Sequence, residues 1–179
     1  MALALWPVHV SKQAYQKIDL CILPQQLFKI MVKTPSEKVR GTCVEVEGLG
    51  VLFRGPTGSG KSDLALRLID GGARLIADDY TELSSENVIL MARAPESIRD
   101  LLEVRGIGIL EIGGILQAKL GVVIDLVTAE QVERRPEDES VELLGIHVPL
   151  FRLAPLEASG PAKVRLIVRQ IKGKIINVP

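Results

Sequence analysis

Apolar and polar positions divide this chain near residue 40. Residues 1–40 carry no sustained helical or alternating period and hold prolines at 7, 24 and 35, which predicts an irregular extension with one short helix around Gln25–Val32. Beyond it the pattern is dense. Thr42–Val46 alternates as a strand does, Glu47-Gly48 turns the chain, and Leu49–Phe53 returns, a β-hairpin. Lys61–Asp70 reads as a helix ended by Gly71-Gly72, followed by a short strand over Ala73–Ala77. Brief strands near Glu82–Leu83 and Val88–Met91 suggest a second hairpin, and Ile98–Val104 a further strand. Gly121–Val127 is a buried strand, and Val141–Leu150 supplies one or two edge strands broken at Gly145. Lys163–Lys172 places apolar residues at 164, 167, 168 and 171 opposite a basic face, a helical spacing. These elements predict one α/β domain over 41–179.

Composition narrows the classes. Lys+Arg 22 balances Asp+Glu 22, so no global field recruits nucleic acid or anionic lipid. Aromatics make up only 3% of the chain, too few for base-stacking platforms. No apolar stretch reaches the length of a membrane span, and the apolar first six residues are too short for a signal-peptide core. Cys21 and Cys43 fit no metal-ligand spacing; two reduced thiols of a cytoplasmic protein are expected. Residues 7–40 hold six basic residues against two acidic ones, either a docking tail for an acidic partner or a solvated leader.

The chemistry concentrates in three places. Gly55-Pro56-Thr57-Gly58-Ser59-Gly60-Lys61-Ser62 satisfies the G-x-x-x-x-G-K-[ST] pattern between a strand and a helix. Such a turn points backbone N–H groups and the positive end of the helix dipole at one anion. Lys61 then reaches the β- and γ-phosphates, and the Ser62 hydroxyl can hold Mg²⁺. The expected ligand is a nucleoside triphosphate, ATP with Mg²⁺.

Asp78-Asp79 comes next, at the end of the strand that follows the loop and its helix. Ligands collect at that place in an open α/β sheet. One carboxylate can orient Mg²⁺ while the other accepts a proton from an attacking hydroxyl; a solvated turn is the competing reading. The third place is Leu102–Glu111, where Glu103, Arg105 and two glycines interrupt an apolar run. Charges in apolar surroundings call for a partner, so Glu103 either completes a metal shell or pairs with Arg105 on a strand edge.

In order and spacing, Gly55–Ser62, Arg74–Asp79 and Leu102–Glu111 resemble the three signatures of the HPr kinase/phosphorylase family, over roughly residues 40–170. The resemblance implies a phosphate-loop fold of the phosphoenolpyruvate-carboxykinase type with a mixed β-sheet. It also implies an ATP-dependent protein-serine kinase acting on the phosphocarrier HPr of the sugar phosphotransferase system, in the cytoplasm and as a homo-oligomer. By that resemblance Lys61 contacts phosphates, and Ser62 and Glu103, with Asp78 in support, hold Mg²⁺. Asp79 is the base toward the serine of HPr and the acid in reverse phosphorolysis. Glu133-Arg134 resembles the family's Glu-Arg pair after the long strand, which makes Arg134 a catalytic arginine.

Three departures stand out. Residues 1–40 are too short and irregular to be the family's separate N-terminal domain, which is expected to be lacking, as in short α-proteobacterial forms. Arg40 stands where the family has a histidine, and neither His9 nor His147 is placed to substitute. Val148–Arg152 matches the loop associated with dephosphorylation poorly, so the kinase half of the activity is the better supported. A small-molecule kinase of the shikimate or gluconate type would share the loop and the acidic pair but would need an arginine-rich lid. A non-enzymatic nucleotide sensor would keep Lys61 and Ser62 without needing Asp79.

Overall fold

Residues 35–175 are described by a computed structural model; the helix expected at 25–32, with His9 and Cys21, lies outside them. The chain forms β1 (Ser36–Arg40), β2 (Thr42–Val46), β3 (Leu49–Arg54), helix α1 (Lys61–Asp70), β4 (Arg74–Ala77), β5 (Tyr80–Glu86) and β6 (Ile89–Arg93). Then come β7 (Leu101–Val104), β8 (Gly108–Glu111), β9 (Gln117–Leu126), β10 (Glu139–Leu143), β11 (Ile146–Leu153) and helix α2 (Gly160–Ile171). The class is α/β with a mixed sheet, in the order β1-β5-β6-β9-β3-β2-β4, with β11 beside β9 and β10 beside β11.

Strand β9 organises the sheet. It runs parallel to β3 along one side; on the other it meets β6 antiparallel over Gln117–Lys119 and β11 parallel over Val123–Leu126. Its facing changes at Gly121: the register with β3 shifts there, and Leu120 and Val123 point into one core while Val122 and Ile124 point into the other. A bulge of this kind lets one strand serve two ladders. The expected strand over Gly121–Val127 is thus the C-terminal half of a longer one, whose first half alternates exposed and buried residues.

One core lies between the sheet and the two helices, where Phe53, Leu64, Leu68, Ile124, Val164 and Val168 are fully buried. The other face carries Cys43, Leu52, Ile76, Leu83 and Val123. Strand β3 feeds both by alternation, with Val51 and Phe53 to one side and Leu52 to the other. Cys43 is fully buried, and desolvation pushes its thiol far above its usual range, so it is an inert core residue.

Several expectations change. Residues 36–40, read as part of the irregular extension, form β1, paired antiparallel with β5 from Ser36↔Ser84 to Arg40↔Tyr80. That strand is mostly exposed, so it lacks the alternation that betrays a half-buried strand. The expected strand at Ile98–Val104 splits into a 3₁₀ turn (Glu96–Ile98) and β7, which pairs only with β8 in a separate hairpin. Ile107 and Ile109 on that hairpin are 71% and 69% exposed, so the apolar surroundings inferred for Glu103 and Arg105 do not exist. Strand β11 is no edge, since it joins β9. Helix α2 starts at Gly160, three residues before its expected start, with Pro161 tolerated in the first turn.

Candidate active site

The sheet topology brings the first two sequence signals together. Strand β2 is antiparallel to both β3 and β4, so β3 and β4 end at the same edge of the sheet. The phosphate loop leaves β3 there, and Asp78-Asp79 leaves β4. Gly60, at φ +91, caps α1 without any side-chain bond, which leaves the first-turn N–H groups directed into the loop. At Gly55 a Cβ would stand 2.8 Å from Ser59 Oγ, so only glycine allows this turn. Ser59 Oγ itself is buried without a hydrogen-bond partner among the described residues.

Loop and helix, Asp78 and Asp79, β7 and the β1–β2 junction enclose a cleft of about 480 Å³. Thr57, Gly58, Gly60, Lys61, Ser62, Asp78, Asp79 and Glu103 line it. Lys61 is nearly buried, and its Nζ donates to the carbonyls of Gly55 and Pro56, both at 2.9 Å. Burial, and then the charge of Arg40, lower its proton affinity below that of an ordinary lysine, with Asp79 and Asp78 opposing.

The two aspartates face different surroundings. Asp78 is 6% exposed. Its Oδ1 accepts from Thr42 Oγ1 at 2.8 Å and Ser62 Oγ at 2.9 Å, and its Oδ2 from the Glu103 N–H at 3.1 Å. It ties β2, α1 and β7 together around one carboxylate. Asp79 sits at φ +61 at the centre of a γ-turn, with the Tyr80 N–H donating to the Asp78 carbonyl at 2.7 Å. The Gly41 N–H donates to the Asp79 carbonyl at 2.9 Å, so the backbone holds this strained residue from two directions while its side chain reaches solvent. Asp78→Asn keeps the shape but loses an acceptor. Chemical denaturation should show it about 1–3 kcal/mol less stable, the usual penalty for an unsatisfied buried partner; unchanged stability would mean the hydroxyls find other acceptors.

Glu103 lines the cleft from β7, and Arg105 lines it from the β7–β8 turn. Among the described residues no ion pair joins them, so mutual pairing is not what holds them there. Arg134 is exposed in the segment between β9 and β10 and is not part of the cleft lining. Arg152 lies on β11, bound to Glu139. Sequence reasoning missed Thr42, whose signal was a polar residue at a fully buried strand position. It also missed Leu156, which has no motif: Arg67 of α1 binds the carbonyls of Pro155 and Glu157 and sets that turn beside Gly60.

A strand, a phosphate loop and a helix N-terminus, with an acidic pair at the end of a neighbouring strand, define a phosphate-loop nucleotide-binding protein. The family model described as "HPr Serine kinase C-terminal domain" matches residues 32–164, and the chain belongs to that family. It is 40% identical over 127 residues to the HPr kinase/phosphorylase of Geobacillus thermodenitrificans, covering 64% of this chain and 41% of that protein. It is 34% identical over 156 residues to the HPr kinase/phosphorylase of Bordetella pertussis, covering 80% of this chain and 50% of that one. The chain therefore spans half or less of the length of these relatives. The solved structure of the Hpr(Ser) kinase/phosphatase from Coxiella burnetii superposes with a TM-score of 0.70 at 27% identity, covering 77% of this chain and 97% of that one. The fold is accordingly the phosphate-loop fold of the phosphoenolpyruvate-carboxykinase type. No helix among the described residues is long and apolar enough to cross a membrane.

Proposed function

We propose that this chain is an ATP-dependent protein-serine kinase whose acceptor is a seryl hydroxyl of the phosphocarrier HPr. The observation that carries the reading is the placement of an accessible carboxylate, Asp79, in the same cleft as Lys61 and the first-turn N–H groups of α1. A nucleotide-binding protein needs the second set of groups; only group transfer needs the first. Lys61 and the loop N–H groups bind the β- and γ-phosphates and stabilise charge that develops during transfer. As the seryl oxygen bonds to the γ-phosphorus, its proton passes to Asp79, the bridging oxygen–phosphorus bond breaks, and ADP leaves. Reverse phosphorolysis uses the same residue as the acid. The names of the relatives support HPr as the acceptor.

Ser62 and Asp78, joined by a hydrogen bond, line the cleft with Glu103, and the hard oxygen atoms of these three residues would hold Mg²⁺. Bound there, Mg²⁺ would neutralise phosphate charge. Ser62→Ala and Glu103→Ala should each raise the Mg²⁺ concentration for half-maximal nucleotide binding by about tenfold or more. Titration of a fluorescent ATP analogue reads this, and an unchanged midpoint for Glu103→Ala removes that residue from the metal set.

Incubation with labelled ATP, Mg²⁺ and purified HPr tests the function, with a panel of small alcohols in parallel. Label on a serine of HPr is the expected result. Label on a small molecule, or nucleotide binding without transfer, overturns it.

A further inference from the structure

Arg40 ends β1 opposite Tyr80, one residue beyond Asp79 in sequence, and lines the cleft. Its guanidinium makes two contacts in different directions. Nη2 donates to Thr57 Oγ1 of the phosphate loop at 2.9 Å, and Nε lies 3.5 Å from Asp79 Oδ1. Its backbone is held by the β1–β5 ladder, and in the same strand pair the Lys38 ammonium lies 4.4 Å from the Tyr80 ring centroid. At its far end stands a residue at φ +61, whose carboxylate reaches solvent. An exposed ion pair of this kind adds little to stability. What it does supply is direction: a planar, permanently charged fork holds two acceptors in one fixed geometry.

We propose that Arg40 is a positioning residue for phosphoryl transfer, its guanidinium bridging Thr57 of the phosphate loop to Asp79 so that loop and carboxylate are aimed as one unit. The inference rests on the reading of Asp79 as the base. A base left to rotate freely spends little of its time in line with the attacking hydroxyl, and misplacement of a reacting group by about 1 Å can cost about 10²-fold in rate.

The test measures kcat and KM for ATP with HPr as acceptor, and in parallel the slower transfer to water, for the wild type, Arg40→Met, Arg40→Lys, Thr57→Val, Asp79→Asn and Arg40→Met/Asp79→Asn. Arg40→Met should lower kcat by about 10- to 100-fold while KM for ATP stays within about threefold, the signature of an interaction that matters in the transition state. Arg40→Lys should recover part of the loss, since it keeps the charge without the fork. Thr57→Val should repeat part of it. Arg40→Met should cost nothing further in the Asp79→Asn background, because a residue that acts through another is coupled to it.

Equal losses in both backgrounds, a loss confined to KM, or wild-type kcat in Arg40→Met or Thr57→Val would overturn the bridge. A wild type that turns over ATP with water but leaves HPr unlabelled overturns the HPr reading instead, and the mutant ratios on water still judge Arg40. A wild type that transfers to neither overturns both.

Discussion

Lys61→Ala is expected to lower nucleotide-dependent phosphoryl transfer by at least about 10²–10³-fold, the cost of deleting one preorganised group that stabilises transition-state charge. The fold should survive. Lys61 is the first residue of α1, where alanine is the best helix former, and among the described residues its ammonium binds two carbonyls, both of its own loop. Those carbonyls belong to residues that are partly or fully exposed, so water can replace the lost donor. Circular dichroism and thermal unfolding should match the wild type within a few degrees while transfer to HPr disappears. Normal turnover would remove the phosphate loop from the mechanism. Unfolding would show that the lysine braces the loop, and nucleotide affinity of Lys61→Arg would then separate the charge from the brace.

The parts of the fold that were legible in the sequence are those whose signals are local. Helix α1 spans Lys61–Asp70 as its period and glycine stop predict, and Glu47-Gly48, both at positive φ, turn the β2–β3 hairpin. Strand β9 was half legible because its burial pattern changes phase at Gly121, and a single period cannot describe both halves. Strand β1 was illegible for a different reason. Its five residues are held by a backbone ladder to β5, and only Val39 among their side chains packs against a core, too few to set up an alternation. The β7–β8 hairpin inverts the usual inference: Ile107 and Ile109 are apolar and exposed, so an apolar run there does not mark a core.

Several residues that line the cleft were legible in the sequence one by one, but their arrangement was not. The phosphate loop and its flanks announce an anion site by themselves. That Asp78 turns inward, toward Thr42, Ser62 and the Glu103 N–H, while Asp79 turns outward, depends on a γ-turn that neither residue type predicts. Thr42 entered through sheet register: it lies on β2 opposite Phe53, one residue from the end of β3, which places its hydroxyl beside the loop. Arg134 carried a family-like pairing with Glu133, yet the structure leaves it exposed and outside the cleft lining.

Asp79→Asn separates the two aspartates by function. The change is nearly isosteric, and the contacts that hold Asp79 in its turn come from the Asp79 carbonyl and the Asp78 carbonyl, both unaltered. Asparagine also tolerates positive φ as well as aspartate does. Fold and nucleotide affinity should therefore persist, and phosphoryl transfer to HPr should fall by about 10²–10⁴-fold, the range for a positioned base. The lower end is expected, because a loose transition state asks for little proton removal before the phosphorus–oxygen bond to ADP is nearly broken. Asp78→Asn should give the opposite profile, with weaker Mg²⁺-nucleotide binding, since Asp78 touches Ser62 and not the solvent side of the cleft. Single-turnover transfer measured beside nucleotide titration distinguishes the two. If Asp79→Asn transfers at the wild-type rate, Asp79 is not the base, and it serves only to hold the turn that carries Tyr80 into β5.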